Sequence, residues 1–176
     1  DDVPWALMHN GGGMAFDASG LLYLAVGDAT NMDAPQTAGS FGGKLLRFRP
    51  TPNGYTVPAN NPFVGEEEAL DEVYSLGLRN PFRIAHRNTD NRVYVADVGS
   101  AVWEEVNLAA PRANFGWPVR EGPCPLDEYL PCAPAPARYT DPRLYYAHAP
   151  EQGGSITGLD FYTGTDFPAS YRDQLF

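Results

Sequence analysis

Residues 9–28 read HNGGGMAFDASGLLYLAVGD. A histidine stands at one end and an aspartate at the other. Between them, two apolar stretches, MAF and LLYLAV, flank a D-A-S-G turn signal, the pattern of a β-hairpin. A hairpin returns its outer ends to each other, so His9 and Asp28 can meet. A carboxylate on one imidazole nitrogen fixes the tautomer and raises basicity, which leaves the other nitrogen free to take a proton. The same residues also fit a surface histidine and a turn aspartate, and the hairpin alone does not choose between the two. Glycines at 11, 12 and 13 leave space beside the histidine for a flat ligand.

Other residues invite the same question. In GLRNP, Pro81 holds Asn80 extended, and Arg79 offers a permanently charged planar fork suited to an anionic oxygen. The bland reading of Arg79 is a guanidinium stacked on a neighbouring sheet. In ADVGSAVWEEVN, Asp97 and Glu104 read equally as carboxylates at a binding rim or as solvated acids. His86 and His148 read as structural, Trp103 and Trp117 as packing residues, and the acidic run at 66–68 as a solvated face. Cys124 and Cys132 lie in a Pro-rich loop, without further Cys or His to complete a zinc site. They are expected to form a local disulfide, with two free thiols as the alternative; the bond, if formed, implies an oxidising compartment, periplasmic or extracellular.

These residues need elements to position them. FRIAHR-NTDN-RVYVADVG repeats the hairpin figure, turning at residues 88–91. GLDFYTG opens a third, with its return strand starting at Gln174. Phe16, Ile84 and Phe161 each precede a turn. Tyr23 and Tyr94 each fall in the strand after one, which gives a period of about 70 residues. Short strands at this period predict an all-β chain of about two to three propeller blades, with residues 31–39 and 119–142 as loop insertions. A β-sandwich with similar hairpins is the alternative. One or two helical turns are expected at residues 66–71, and helical periodicity is otherwise nearly absent. Eighteen Gly and seventeen Pro in 176 residues agree with many turns. Because the last residues, DQLF, read as a strand, the chain is expected to be a section of a larger ring.

Charge excludes some partners. Twelve Lys and Arg stand against 22 Asp and Glu, a net charge of −10. No basic cluster is present to meet phosphates, so no nucleic-acid partner is expected. Apolar runs such as residues 21–26 are too short to span a bilayer.

Seven stretches, in order, resemble the soluble aldose sugar dehydrogenases that use pyrroloquinoline quinone (PQQ), the glucose/sorbosone dehydrogenase family. They are the His9 hairpin, GGKLLRFRP, VPANNPF, YSLGLRNPFRIA, VYVADVGSAVWEEVN, NFGWPVREG and GGSITGLDFYTG. The resemblance implies a six-bladed β-propeller of which residues 1–176 form the central part of a single domain, truncated at both ends. It implies oxidation of the anomeric carbon of an aldose to the lactone, with PQQ and Ca2+ as cofactors and an external electron acceptor as partner. His9 matches the catalytic base and Asp28 its partner. Arg79 matches the residue facing the reducible quinone oxygen, and Asn80 a cofactor hydrogen-bonding residue. The carbonyls of Gly99 and Ser100 match ligands of the calcium beside PQQ. Glu105 and the carbonyl of Phe115 match a second calcium site, although many relatives carry Tyr at the latter position.

The resemblance also sets a limit. The cationic residues that hold the PQQ carboxylates come from later blades, so the isolated section is expected to be inactive. The alternative function is a non-catalytic extracellular binding propeller of the same fold. A calcium-dependent lactonase-like propeller would need an acidic metal cage that these residues do not assemble.

Overall fold

The computed structural model describes residues 8–148 and 154–176. Strands β1 (Met14–Phe16) and β2 (Leu22–Val26) form the first hairpin, with Met14 opposite Leu24 and Phe16 opposite Leu22. Its turn is locked locally: Asp17 Oδ1 accepts from the N–H groups of Ser19 (2.8 Å) and Leu21 (3.0 Å), the Asx pattern that favours Asp at a turn. Strand β3 (Lys44–Thr51) pairs along β2 on one side. On its other side it pairs first with β5 (Val73–Leu76), in a register interrupted by a bulge at Leu45/Leu46, and then with the short β4 (Gly54–Thr56).

The second sheet repeats the plan. Strands β6 (Pro81–Arg87), β7 (Arg92–Asp97) and β8 (Trp103–Leu108) follow in antiparallel order. After β8, a two-residue ladder joins β9 (Arg120–Glu121) and β10 (Cys124–Pro125). The chain then returns as β11 (Leu144–Ala147) on the free edge of β8. A third unit is represented by one antiparallel bridge between Phe161 and Leu175.

Side-chain alternation explains how the sheets stack. On β7, Val93 and Val95 face one core with Leu21, Tyr23, Ala25, Leu45 and Ile84. Tyr94 and Ala96 point the other way, to Val106, Leu159 and Phe161. A strand buried on both faces needs a neighbour on each side, which is the arrangement of successive propeller blades. Each fully buried Val or Leu contributes roughly 1.5–3 kcal/mol. The expected all-β propeller section is what the chain forms.

Residues 66–71 differ from expectation. They form turns closed by Glu66 N–H to Phe63 O (3.1 Å) and Ala69 N–H to Glu66 O (3.2 Å), with no helix. The segment is too short to repay helix nucleation. The run at 66–68 is exposed, as expected. No helix of the described residues is long and apolar enough to cross a membrane. Gly153, the first residue of the GGSITG stretch, lies outside the described residues.

Candidate active site

The hairpin brings its ends together as its sequence implies. His9 Nδ1 lies 2.8 Å from Asp28 Oδ1, with Asp28 buried and the His9 side chain 15% exposed. The approach is close enough to dictate residue types. A Cβ on Gly27 would stand 2.0 Å from the His9 carbonyl oxygen, and one on Gly11 would stand 2.5 Å from Ala25 O. The glycines at 11 and 13 therefore serve backbone contact, against Ala25 and Arg83. Of the three, only Gly12 faces open space. That corrects the expectation that the whole run makes room for a ligand. His9 itself adopts φ 58°, a left-handed conformation that non-Gly residues seldom take and that needs its surroundings to hold it.

Asp28 is fully used. Its Oδ1 also accepts from Thr30 N–H (2.8 Å), and its Oδ2 accepts from the Trp117 indole N–H (2.8 Å). Its own N–H donates to Arg79 O (2.8 Å), which ties the end of β2 to the start of the second sheet. Trp117 is thus no mere packing residue, in contrast to expectation. Its ring also lies under the Arg79 guanidinium, 5.3 Å from centroid to Cζ. Trp103 does pack, edge-on to Tyr145 and beside Cys124.

Arg79 and Asn80 are fixed from behind. Asp97 accepts from Arg79 N–H (2.9 Å) and Asn80 N–H (2.7 Å) through its two oxygens. Burial, and then the Glu105 charge, push the Asp97 carboxyl up, while these two N–H groups pull it down. Arg79 Nη1 donates to Val98 O (3.1 Å) and Gly99 O (2.5 Å).

The loop after β7 is organised by a residue that sequence reasoning passed over. Glu121 Oε1 accepts from the N–H groups of Ser100, Ala101, Val102 and Trp103, at 2.5 to 3.3 Å. The signal was the buried acid of the WPVREG stretch, but nothing local points it at residues 100–103.

His9, Asp28, Thr30, Met32, Arg79, Ser100 and Trp117 line one open cleft of about 200 Å³. Asn80 and Gly99 adjoin it through Arg79. A larger hollow of about 340 Å³ lies far along the chain, lined by Phe161, Tyr162, Phe167 and Phe176. It is mostly apolar and lacks the paired titratable groups of the first.

Glu105 and Phe115 lie away from this cleft. Glu105 Oε2 accepts from Asn107 Nδ2 (2.8 Å), and its Oε1 accepts from Gly122 N–H. Burial raises Glu105 to about 7. Phe115 sits in the core between the sheets. The described residues contain no group of three or more His, Cys, Asp or Glu able to hold a metal. Two buried acceptors, Asn107 Oδ1 and Glu121 Oε2, nonetheless have no hydrogen-bond partner among the described residues.

Asp97 and Glu104, left open between rim and solvent, are both buried. Glu104 binds His148 Nε2 and, at 2.9 Å, the Ile156 N–H. His86 bonds Asn91 Oδ1 (2.7 Å) across its own turn. Neither histidine lines the cleft of His9. Cys124 and Cys132 form the expected disulfide, Cα to Cα 5.6 Å.

Residues 5–176 match the family model described as Glucose / Sorbosone dehydrogenase. The chain belongs to this family. It is 32% identical over 199 residues to the HIPL2 protein of Arabidopsis thaliana, covering 99% of the chain and 28% of that protein. It is 29% identical over 171 residues to the aldose sugar dehydrogenase YliI of Escherichia coli (strain K12), covering 96% of the chain and 44% of that protein. The PQQ-bound aldose sugar dehydrogenase of Streptomyces coelicolor superposes with a TM-score of 0.72 at 29% identity, covering 91% of this chain and 41% of that one. The chain therefore spans less than half the length of these relatives.

Proposed function

We propose that this chain is the central section of a PQQ-dependent sugar dehydrogenase that oxidises aldoses at the anomeric carbon. The observation that carries the reading is the His9/Asp28 pair facing Arg79 across one cleft, in a chain of this family. Asp28 holds Nδ1, so His9 presents Nε2 to the substrate hydroxyl. As the sugar becomes a lactone, its anomeric C–H and O–H bonds break and a C=O bond forms. His9 Nε2 takes the proton. When bound, PQQ supplies the quinone that accepts the hydride and later passes two electrons to an external acceptor.

The cleft suits a flat anionic quinone. It presents the Arg79 guanidinium for a developing negative charge and an indole ring beneath it. Asn80, backed by the same Asp97, is assigned to the cofactor as well.

Calcium is part of the proposal. At Glu105, the orphaned oxygens of Asn107 and Glu121 supply the hard donors such an ion takes, with the Phe115 carbonyl as a further assigned ligand. At Gly99 and Ser100, Arg79 already occupies the Gly99 carbonyl. A cation there would have to share that oxygen's second lone pair with the guanidinium. The disulfide supports a periplasmic or extracellular location.

The direct test adds PQQ, Ca2+ and an aldose to the full-length protein and follows reduction of an artificial dye. Sugar-dependent reduction supports the proposal. Its absence, with PQQ shown to be bound, favours a binding propeller.

A further inference from the structure

We propose that Trp117 is a positioning residue that sets the His9/Asp28 pair and Arg79 relative to one another. This rests on reading His9 as the proton acceptor. A carboxylate with one oxygen on a histidine can rotate, or offer its other oxygen, and so change the ring's tilt. Asp28 has neither freedom. Its Oδ2 is held by the Trp117 indole N–H at 2.8 Å, leaving Oδ1 for His9 and Thr30. The backbone that carries the indole is held in turn. The Trp117 main-chain N–H donates to Gly77 O (3.0 Å), and the Trp117 main-chain carbonyl accepts from Gln36 Nε2 (2.6 Å). Its ring face carries Arg79 at 5.3 Å. One side chain from the loop after β8 thus touches both the acid that orients the base and the cation of the cofactor side. The contact spans 89 residues of sequence.

Donation from the indole also tempers the carboxylate. A hydrogen bond to Oδ2 draws charge away from Oδ1 and weakens its pull on a protonated ring. Among the described residues, Asp28 and Arg79 are the charged groups that line the cleft with His9; its other walls, Thr30, Met32, Ser100 and Trp117, carry none. Loss of the indole N–H therefore leaves the imidazolium better stabilised.

The experiment uses full-length protein with two variants: Trp117→Phe, and replacement of Trp117 by benzothienylalanine, which keeps the ring's shape and lacks the N–H. The second variant guards against misfolding of the first. The readouts are kcat, KM for sugar, the pH profile of kcat/KM, and 15N spectra of the labelled His9 ring, assigned by its loss in His9→Gln. Trp117 as a positioning residue predicts a fall in kcat of about tenfold or more. KM should stay within about twofold, the acidic limb should move to higher pH, and the His9 ring signals should shift in both variants. A His9 spectrum and pH profile unchanged in both would overturn the proposal. If His9→Gln leaves turnover intact, the base assignment fails by itself. The ring spectra then still decide whether Trp117 positions the pair.

Discussion

The Asp28 N–H donates to the Arg79 carbonyl at 2.8 Å, so the last residue of the first hairpin's return is bonded to the first residue leading into the second sheet. This one peptide contact places the histidine pair and the arginine on the same cleft. Asp97 completes the joint by holding the N–H groups of Arg79 and Asn80. Asp97→Asn would turn an amide NH2 toward one of those donors. The expected result is a loss of about 2 kcal/mol in stability. PQQ affinity of the full-length protein, read by fluorescence titration, should weaken roughly tenfold. Unchanged affinity would show that this clamp does not set the arginine.

Glu121 should matter through the backbone of residues 100–103. Charge-assisted hydrogen bonds are about twice as strong as neutral ones. In Glu121→Gln, native-state hydrogen exchange at Ser100, Ala101, Val102 and Trp103 should accelerate by about tenfold or more relative to β7 amides. Uniform exchange changes across β6, β7 and β8 would instead indicate general destabilisation.

Calcium at Glu105 predicts that chelation lowers the melting temperature of the full-length protein. Saturation at a hundredfold over Kd is worth about 2.7 kcal/mol. Glu105→Gln should remove most of that sensitivity. Equal calcium dependence in variant and wild type would place the ion elsewhere.

Lys44 gives a pH signature. It is buried, and its Nζ donates to the carbonyls of Ala34 (2.7 Å), Pro35 (3.2 Å) and Gly42 (2.5 Å). Burial lowers it to about 7, even though three acceptors favour the ammonium. The unfolded chain thus binds the extra proton between about pH 7 and 10.5. The Lys44 contribution is complete above that window and lost as pH falls through it. Relative to Lys44→Met, the wild type should gain up to a few kcal/mol between pH 7 and 10 in denaturant melts. A constant difference would mean that the three carbonyls hold the ammonium unshifted.

The legible parts of this protein are local. Both full hairpins turn where Asp17 and Asn88 begin a turn cluster, because turn chemistry and alternation act over a few residues. The meeting of His9 with Asp28 follows from the same geometry, and the eight-residue disulfide loop from its own shortness. Long-range partnerships were hidden. Trp117 reaches Asp28, and Glu121 reaches residues 100–103, only because the loop after β8 folds back over the sheet ends. No periodicity encodes that return. Asp97 and Glu104 could not be assigned because their burial depends on the neighbouring sheet. The acidic stretch at 66–71 looked helical by composition, yet it forms isolated turns, the first closed onto the Phe63 carbonyl.

The most direct test of the account is turnover of the full-length protein, loaded with PQQ and Ca2+, before and after His9→Gln. Sugar-dependent dye reduction is expected in the wild type. The variant should lose roughly a hundredfold or more in kcat, the usual contribution of a general base, while retaining PQQ. Turnover within about threefold of wild type would contradict the assignment of His9 as the group that takes the sugar's proton.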